Sequence, residues 1–144
     1  MMSSTTCWLL LLLSLVFCTG CGERLLPVKG KVTLNGNPLP PGHASIWFVP
    51  DTSKGSQDTR FTSCQLNLAG EFELSTQGKE GLPLGWYKVV VYATKTEPPS
   101  SPTGWTPEWI VPVKYTRAET TDLSVEVVAE PEPGRYDFDL KGTP

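Results

Sequence analysis

The residues best suited to do chemistry are scattered along this chain. Between Thr94 and Val113 a proline-rich stretch carries Trp105 and Trp109, four positions apart, with Glu108 between them. Two indoles and a carboxylate are parts of a binding surface. Ring faces bury large area at low entropic cost, and a carboxylate accepts from a sugar hydroxyl or a peptide amine. Trp47 and Trp86 could join them in an aromatic platform for sugar rings or a peptide. The competing reading is that the indoles pin the long connection onto a sheet. Asp137 and Asp139, two apart, could join Asp122 or Glu126 as oxygen ligands of calcium. The same alternation is also what a solvated strand face looks like, and no metal is expected. His43, Ser45 and Asp51 supply the residue types of a hydrolase triad, but without a Gly-x-Ser-x-Gly elbow. No catalytic set stands out, so the chain is read as a non-enzyme without cofactor.

A different chemistry is legible at Cys21. The apolar run from Trp8 to Phe17 holds ten residues with one serine inside. A helix needs about 20 to span a bilayer, so this length suits the core of a secretory signal. Thr19 and Gly20 are small enough to enter a peptidase cleft just before Cys21. The segment resembles the bacterial lipobox, with Cys18 in the place of its aliphatic residue. The resemblance implies that residues 1–20 are removed and that Cys21 becomes the first mature residue, acylated on its sulfur and its amine. A plain secretory signal cut near Gly20 and a retained anchor are the alternatives. Each buried methylene contributes about 0.8 kcal/mol, so two or three acyl chains hold a small domain on a membrane. Gly22, and not Asp, follows Cys21, which favours the outer membrane and a periplasmic-facing domain.

Removing the signal leaves 124 residues, the size of one domain. All charged residues lie in that part, with a balance of −3. A mildly acidic domain lacks the basic stripe that nucleic acid requires, and it has no electrostatic reason to lie on anionic lipid. Cys7 and Cys18 leave with the signal and Cys21 carries lipid, so Cys64 stands alone and reads as a small buried hydrophobe. His43 is the only histidine, which excludes a His- or Cys-rich zinc site.

Strands must position these residues, since no segment sustains a period of 3.6. Residues 21–26 read as a lipidated tether and 27–141 as one domain. Val28, Gly30, Val32 and Leu34 share a face, and Asn35-Gly36 is a hairpin signal. Ala44, Ile46 and Phe48 face one way, Trp47 and Val49 the other. Residues 50–58 form a polar loop expected to be mobile. Arg60–Leu68 alternates weakly, and Phe72 and Leu74 follow a turn. Gln77–Gly85 reads as a loop. Tyr87, Val89, Val91 and Ala93 oppose Lys88, Val90 and Tyr92 in a strand apolar enough to lie inside a sheet. Lys114–Thr116 reads as a brief return to the sheet. Leu123, Val125 and Val127, then Tyr136, Phe138 and Leu140, complete the pattern. The expectation is an all-β, seven-stranded antiparallel β-sandwich, a two-layer Greek key.

The ordered set Val28–Leu39, Ile46–Pro50, Gly70–Phe72, Gly85–Val91, Lys114–Thr116 and Tyr136–Leu140 resembles the carboxypeptidase-regulatory-like, transthyretin-like domains of small bacterial lipoproteins. That resemblance implies a prealbumin-like sandwich and carries no catalytic residues. The expected protein is a membrane-anchored binding or structural module of the cell envelope. Its partners are the membrane, through the lipid, and an envelope protein or glycan. A carbohydrate- or peptide-binding module using Trp105, Glu108 and Trp109 is the alternative.

Overall fold

Apolar residues alternating with polar ones shape this chain from Leu25 to Leu140. The computed structural model describes residues 24–101 and 103–144. The expected signal, Cys21 and Pro102 lie outside them. In chain order the strands are β1 (Leu25–Leu26), β2 (Lys29–Leu34), β3 (Asn37–Pro38), β4 (His43–Pro50), β5 (Thr62–Gln65) and β6 (Glu71–Glu73). There follow β7 (Ser75–Thr76), β8 (Lys79–Glu80), β9 (Leu82–Pro83), β10 (Gly85–Thr94), β11 (Ser124–Val127) and β12 (Phe138–Leu140). The described residues are all-β and their sheets are mainly antiparallel.

The first sheet has the order β11-β10-β4-β5. β10 is its longest strand and lies inside it, as its two apolar faces demand. Val89 pairs with Phe48, Val90 with Trp47 and Val91 with Ile46. Tyr87, Val89, Val91 and Ala93 are buried, and so is Val90 on the opposite face. Lys88 is half-buried, where alternation alone predicts an exposed residue. The second sheet is built on β2, with β12 beside it and β3 and β6 paired to separate stretches of it.

The two sheets meet through aromatic rings. Phe48 of the first sheet lies 6.0 Å from Phe72 and 6.0 Å from Phe138 of the second, and 6.0 Å from Tyr87 in its own. Val28, Val32, Leu74 and Leu140 fill the second sheet's side of the same core. Each fully buried side chain of this size contributes about 1.5–3 kcal/mol by leaving water.

Several expectations are corrected. The described residues hold twelve strand segments, many only two residues long, where alternation suggested seven strands. β12 runs parallel to β2, pairing Phe138 with Val32 and Leu140 with Leu34. Alternation has the same period in either direction, so it cannot signal polarity. The expected loop over 77–85 contains the turn and second strand of the β7–β8 hairpin, and β9 as well. Gln77 (φ 52°) and Gly78 (φ 79°) repeat the turn of Asn35 (φ 52°) and Gly36 (φ 79°), the left-handed pair that matches strand twist. Val113–Thr116 is a 3-10 turn and not a strand. Leu25 and Leu26, expected in a loose tether, pair with Pro83 and Leu82. The polar loop after β4 has an anchor of its own. Asp51 is buried and caps a 3-10 turn over Thr52–Lys54 by accepting from the Ser53 amide at 3.1 Å.

Candidate functional site

The outer face of the first sheet is where aromatic side chains gather. Odd residues of β4 and even residues of β10 point away from the core, which brings Trp47 and Tyr92 to this face on adjacent strands. Phe61, just before β5, stacks on Trp47 with centroids 4.8 Å apart and planes 11° from parallel. Trp47 and Tyr92 follow at 6.2 Å and 29°. Trp109 meets Tyr92 edge-on at 4.9 Å. Four rings thus form a stripe running from β5 across β4 and β10 to the long connection. Phe61 is 54% exposed and Tyr92 37%, while Trp47 and Trp109 are half-buried. The indole NH of Trp47 donates to the Ser45 hydroxyl at 3.1 Å, fixing its ring.

The connection after β10 explains Trp109. The Ile110 amide donates to the Ala93 carbonyl at 3.0 Å and the Lys95 amide to the Glu108 carbonyl at 3.0 Å. Thr94 and Trp109 form an isolated antiparallel bridge. Residues 108–110 therefore run back along the end of β10. Ile110 and Val111 enter the core. The Glu108 carboxylate is held by the Lys95 ammonium on the surface. Trp105 is half-buried and joins no ring pair among the described residues. Of the four expected tryptophans, the structure brings together Trp47 and Trp109 only. Trp86 lies elsewhere on the same face, beneath the Lys54 ammonium at 3.6 Å, and Lys54 also donates to Ser124 at 3.1 Å.

Phe61 and Tyr92 complete the stripe, and neither stands out in the sequence as a site residue. The signal was present in the outward phase of Trp47 and Tyr92. The β4–β10 register, which makes them neighbours, was not.

The remaining candidates are dispersed. His43 and Asp51 stand at opposite ends of β4, about 26 Å apart at 3.3 Å per residue, and Ser45 is engaged by Trp47. The triad is not assembled. Asp137 accepts from the Lys31 amide at 2.9 Å. Asp139 accepts from the Thr33 hydroxyl at 2.8 Å and the Gly36 amide at 2.7 Å, and pairs with Lys141. Chiefly through Lys141, then those two donors, its carboxyl is lowered to about 2. Asp122 pairs with Lys114 at 2.7 Å. No group of three or more His, Cys, Asp or Glu among the described residues is placed to hold a metal. Cys64 is half-buried and packs against the core, and burial raises its thiol pKa.

Several open depressions lie on the surface of the described residues. An open one of about 640 Å³ around Phe72 is lined by both signs of charge, with Lys29 and Glu73 paired at 2.6 Å. A smaller one of about 250 Å³ lies between residues 54–58 and 83–87. Asp51 is beside it. The Ser53 hydroxyl and amide hold the Asp51 carboxyl below its ordinary range, helped by the charges of Lys88 and Lys54. Its second oxygen is buried without a partner among the described residues.

No family model, no curated protein and no solved structure matches this chain.

Proposed function

We propose that this chain is a lipid-anchored, non-catalytic module of the bacterial cell envelope, built on the transthyretin-like plan and acting by binding. Cys21 carries the lipid, and the domain from Leu25 onward carries the contact surface. The aromatic stripe Phe61–Trp47–Tyr92–Trp109 is the observation that supports a binding role. The outer face of a solvated sheet is ordinarily polar, and a contiguous apolar patch there marks a contact surface. The ring geometry favours one ligand class. Trp47 is enclosed between Phe61 and Tyr92, so the stripe offers ring edges outward while its central faces cover one another. Stacking a sugar requires an open face. A row of ring edges fits an extended peptide or a protein surface better than a glycan.

Two measurements test this reading. Intact mass of the membrane-extracted protein should begin at Cys21 and include acyl chains. The immobilised domain should retain a native envelope polypeptide, and Phe61→Ala or Tyr92→Ala should abolish retention. Both rings are substantially exposed, so the thermal midpoint should change little. A mature mass without acyl chains, or unchanged retention in both variants, overturns the proposal.

A further inference from the structure

The tether's exit from the fold sets how the domain sits on a membrane. β1 begins at Leu25, and Leu25 and Leu26 pair with Pro83 and Leu82. Leu26 and Leu82 are buried in the core. Gly81 approaches so closely that an added Cβ would lie 2.1 Å from the Leu26 carbonyl oxygen. The exit point is therefore part of the rigid body. Between Leu25 and Cys21 there are four residue steps, which span at most about 14 Å when fully extended. The sandwich is longer than that, since β4 alone runs about 23 Å from His43 to Pro50 at 3.3 Å per residue.

From these lengths, and resting on acylation of Cys21, we infer that the domain is held on the bilayer by one defined end and that Leu84 makes contact with the lipid headgroup layer. The β1–β9 register, continued by one residue, sets Leu84 opposite Arg24, at the point where the chain leaves toward Cys21. Leu84 is 58% exposed and both it and Arg24 lie on the surface. Leu84 and Trp86 line the small depression with residues 54–58, so the same end carries an indole and the Lys54 ammonium. Aromatic and long basic side chains suit the boundary between hydrocarbon and water. The side-chain balance of −3 gives no long-range pull toward anionic lipid. The contact is thus short-range and made possible by the brevity of the tether.

The opposite end is fixed by register as well. Thr94 pairs with His43 at the start of β4 and bridges to Trp109. The Leu66 amide donates to the Ala44 carbonyl at 2.9 Å, which carries Leu68 to that end too. Leu68 is 96% exposed. Leu84 and Leu68 are two exposed leucines at opposite ends of one rigid body, and only the first lies within the tether's reach of the bilayer.

The test uses the acylated protein in phosphatidylethanolamine–phosphatidylglycerol vesicles containing headgroup-nitroxide lipid. In a Cys64→Ser background, Leu84→Cys and Leu68→Cys each take a bimane label, Cys21 being blocked by its acyl chain. The label at position 84 should lose most of its fluorescence and the label at 68 should keep it. Amide exchange on the unsubstituted acylated protein gives a second reading, with vesicle-dependent protection at 82–86 and none at 66–70. Equal quenching and equal protection at both ends, in protein whose mass carries acyl chains, overturns this orientation alone. A mass without acyl chains overturns the anchoring itself and this inference with it.

Discussion

Asp139 draws donors from two other parts of the chain onto one carboxylate, the Thr33 hydroxyl and the Gly36 amide, besides Lys141. Its carboxyl sits at about 2 when folded, below the roughly 3.9 of an unfolded aspartate. A depressed carboxyl contributes stability that is present above the unfolded value and lost as pH falls through the folded one. The contribution should therefore disappear between about pH 4 and pH 2. Urea midpoints measured across that window should fall less steeply in Asp139→Asn than in the wild type. An identical slope in both would show that Asp139 does not carry this linkage. The residue pair Asp137 and Asp139 was conspicuous in the sequence as a candidate for calcium. What the sequence did not carry was the parallel neighbour strand, whose donors occupy both carboxylates. The loop tryptophans were conspicuous for the same reason of type, yet only Trp109 reaches the stripe, because the backbone bridge at Thr94 decides which indole meets Tyr92.

Among the elements, β2 is the one whose neighbours were hardest to foresee. Its apolar face, its Asn35-Gly36 turn and the alternation of β4 and β10 were legible, since each follows from local periodicity or from residues that tolerate positive φ. Its partners were not, because pairing is decided by distant chain. Gly30 shows what that pairing requires. A Cβ at this position would lie 2.1 Å from the Tyr136 carbonyl oxygen, a contact with backbone that no rotamer change relieves. Gly30→Ala should force β2 and the approach to β12 apart, at a cost of about 1–3 kcal/mol or more. A urea titration reads this directly, and a midpoint equal to that of the wild type would contradict the close approach. The short strands β8 and β9 read as part of a loop over 77–85, since two-residue ladders leave no periodicity to detect. The 3-10 turn at Val113–Thr116 escaped for a related reason. Its four residues are too few to carry a period, and Val113, Tyr115 and Thr116 are residue types that suit a strand as well.

At the scale of the whole molecule, two sheets depend on a small aromatic centre. Phe48 touches rings from both layers, so Phe48→Ala should cost about 3–5 kcal/mol, the range for truncating a buried aromatic. Chemical unfolding should remain a single transition, with the loss appearing in the midpoint and not as a separate early phase. An early phase confined to one sheet would mean that the layers are stabilised independently. The pairing of β2 with β12 has a further consequence, in time. The Lys31 amide and the Asp137 carboxylate, joined at 2.9 Å, are 106 positions apart. Closing a loop of that length costs on the order of 4 kcal/mol of chain entropy before any contact rewards it. One of the second sheet's strands comes from the first thirty-odd residues and its parallel neighbour from the last ten. A ribosome that releases the chain from its N-terminus thus presents β2 together with β3 and β6 well before β12 has emerged. The β12 side of the second sheet is therefore the last to be paired, and the Lys31 amide, the Thr33 hydroxyl and the Gly36 amide are left to water until Asp137 and Asp139 arrive.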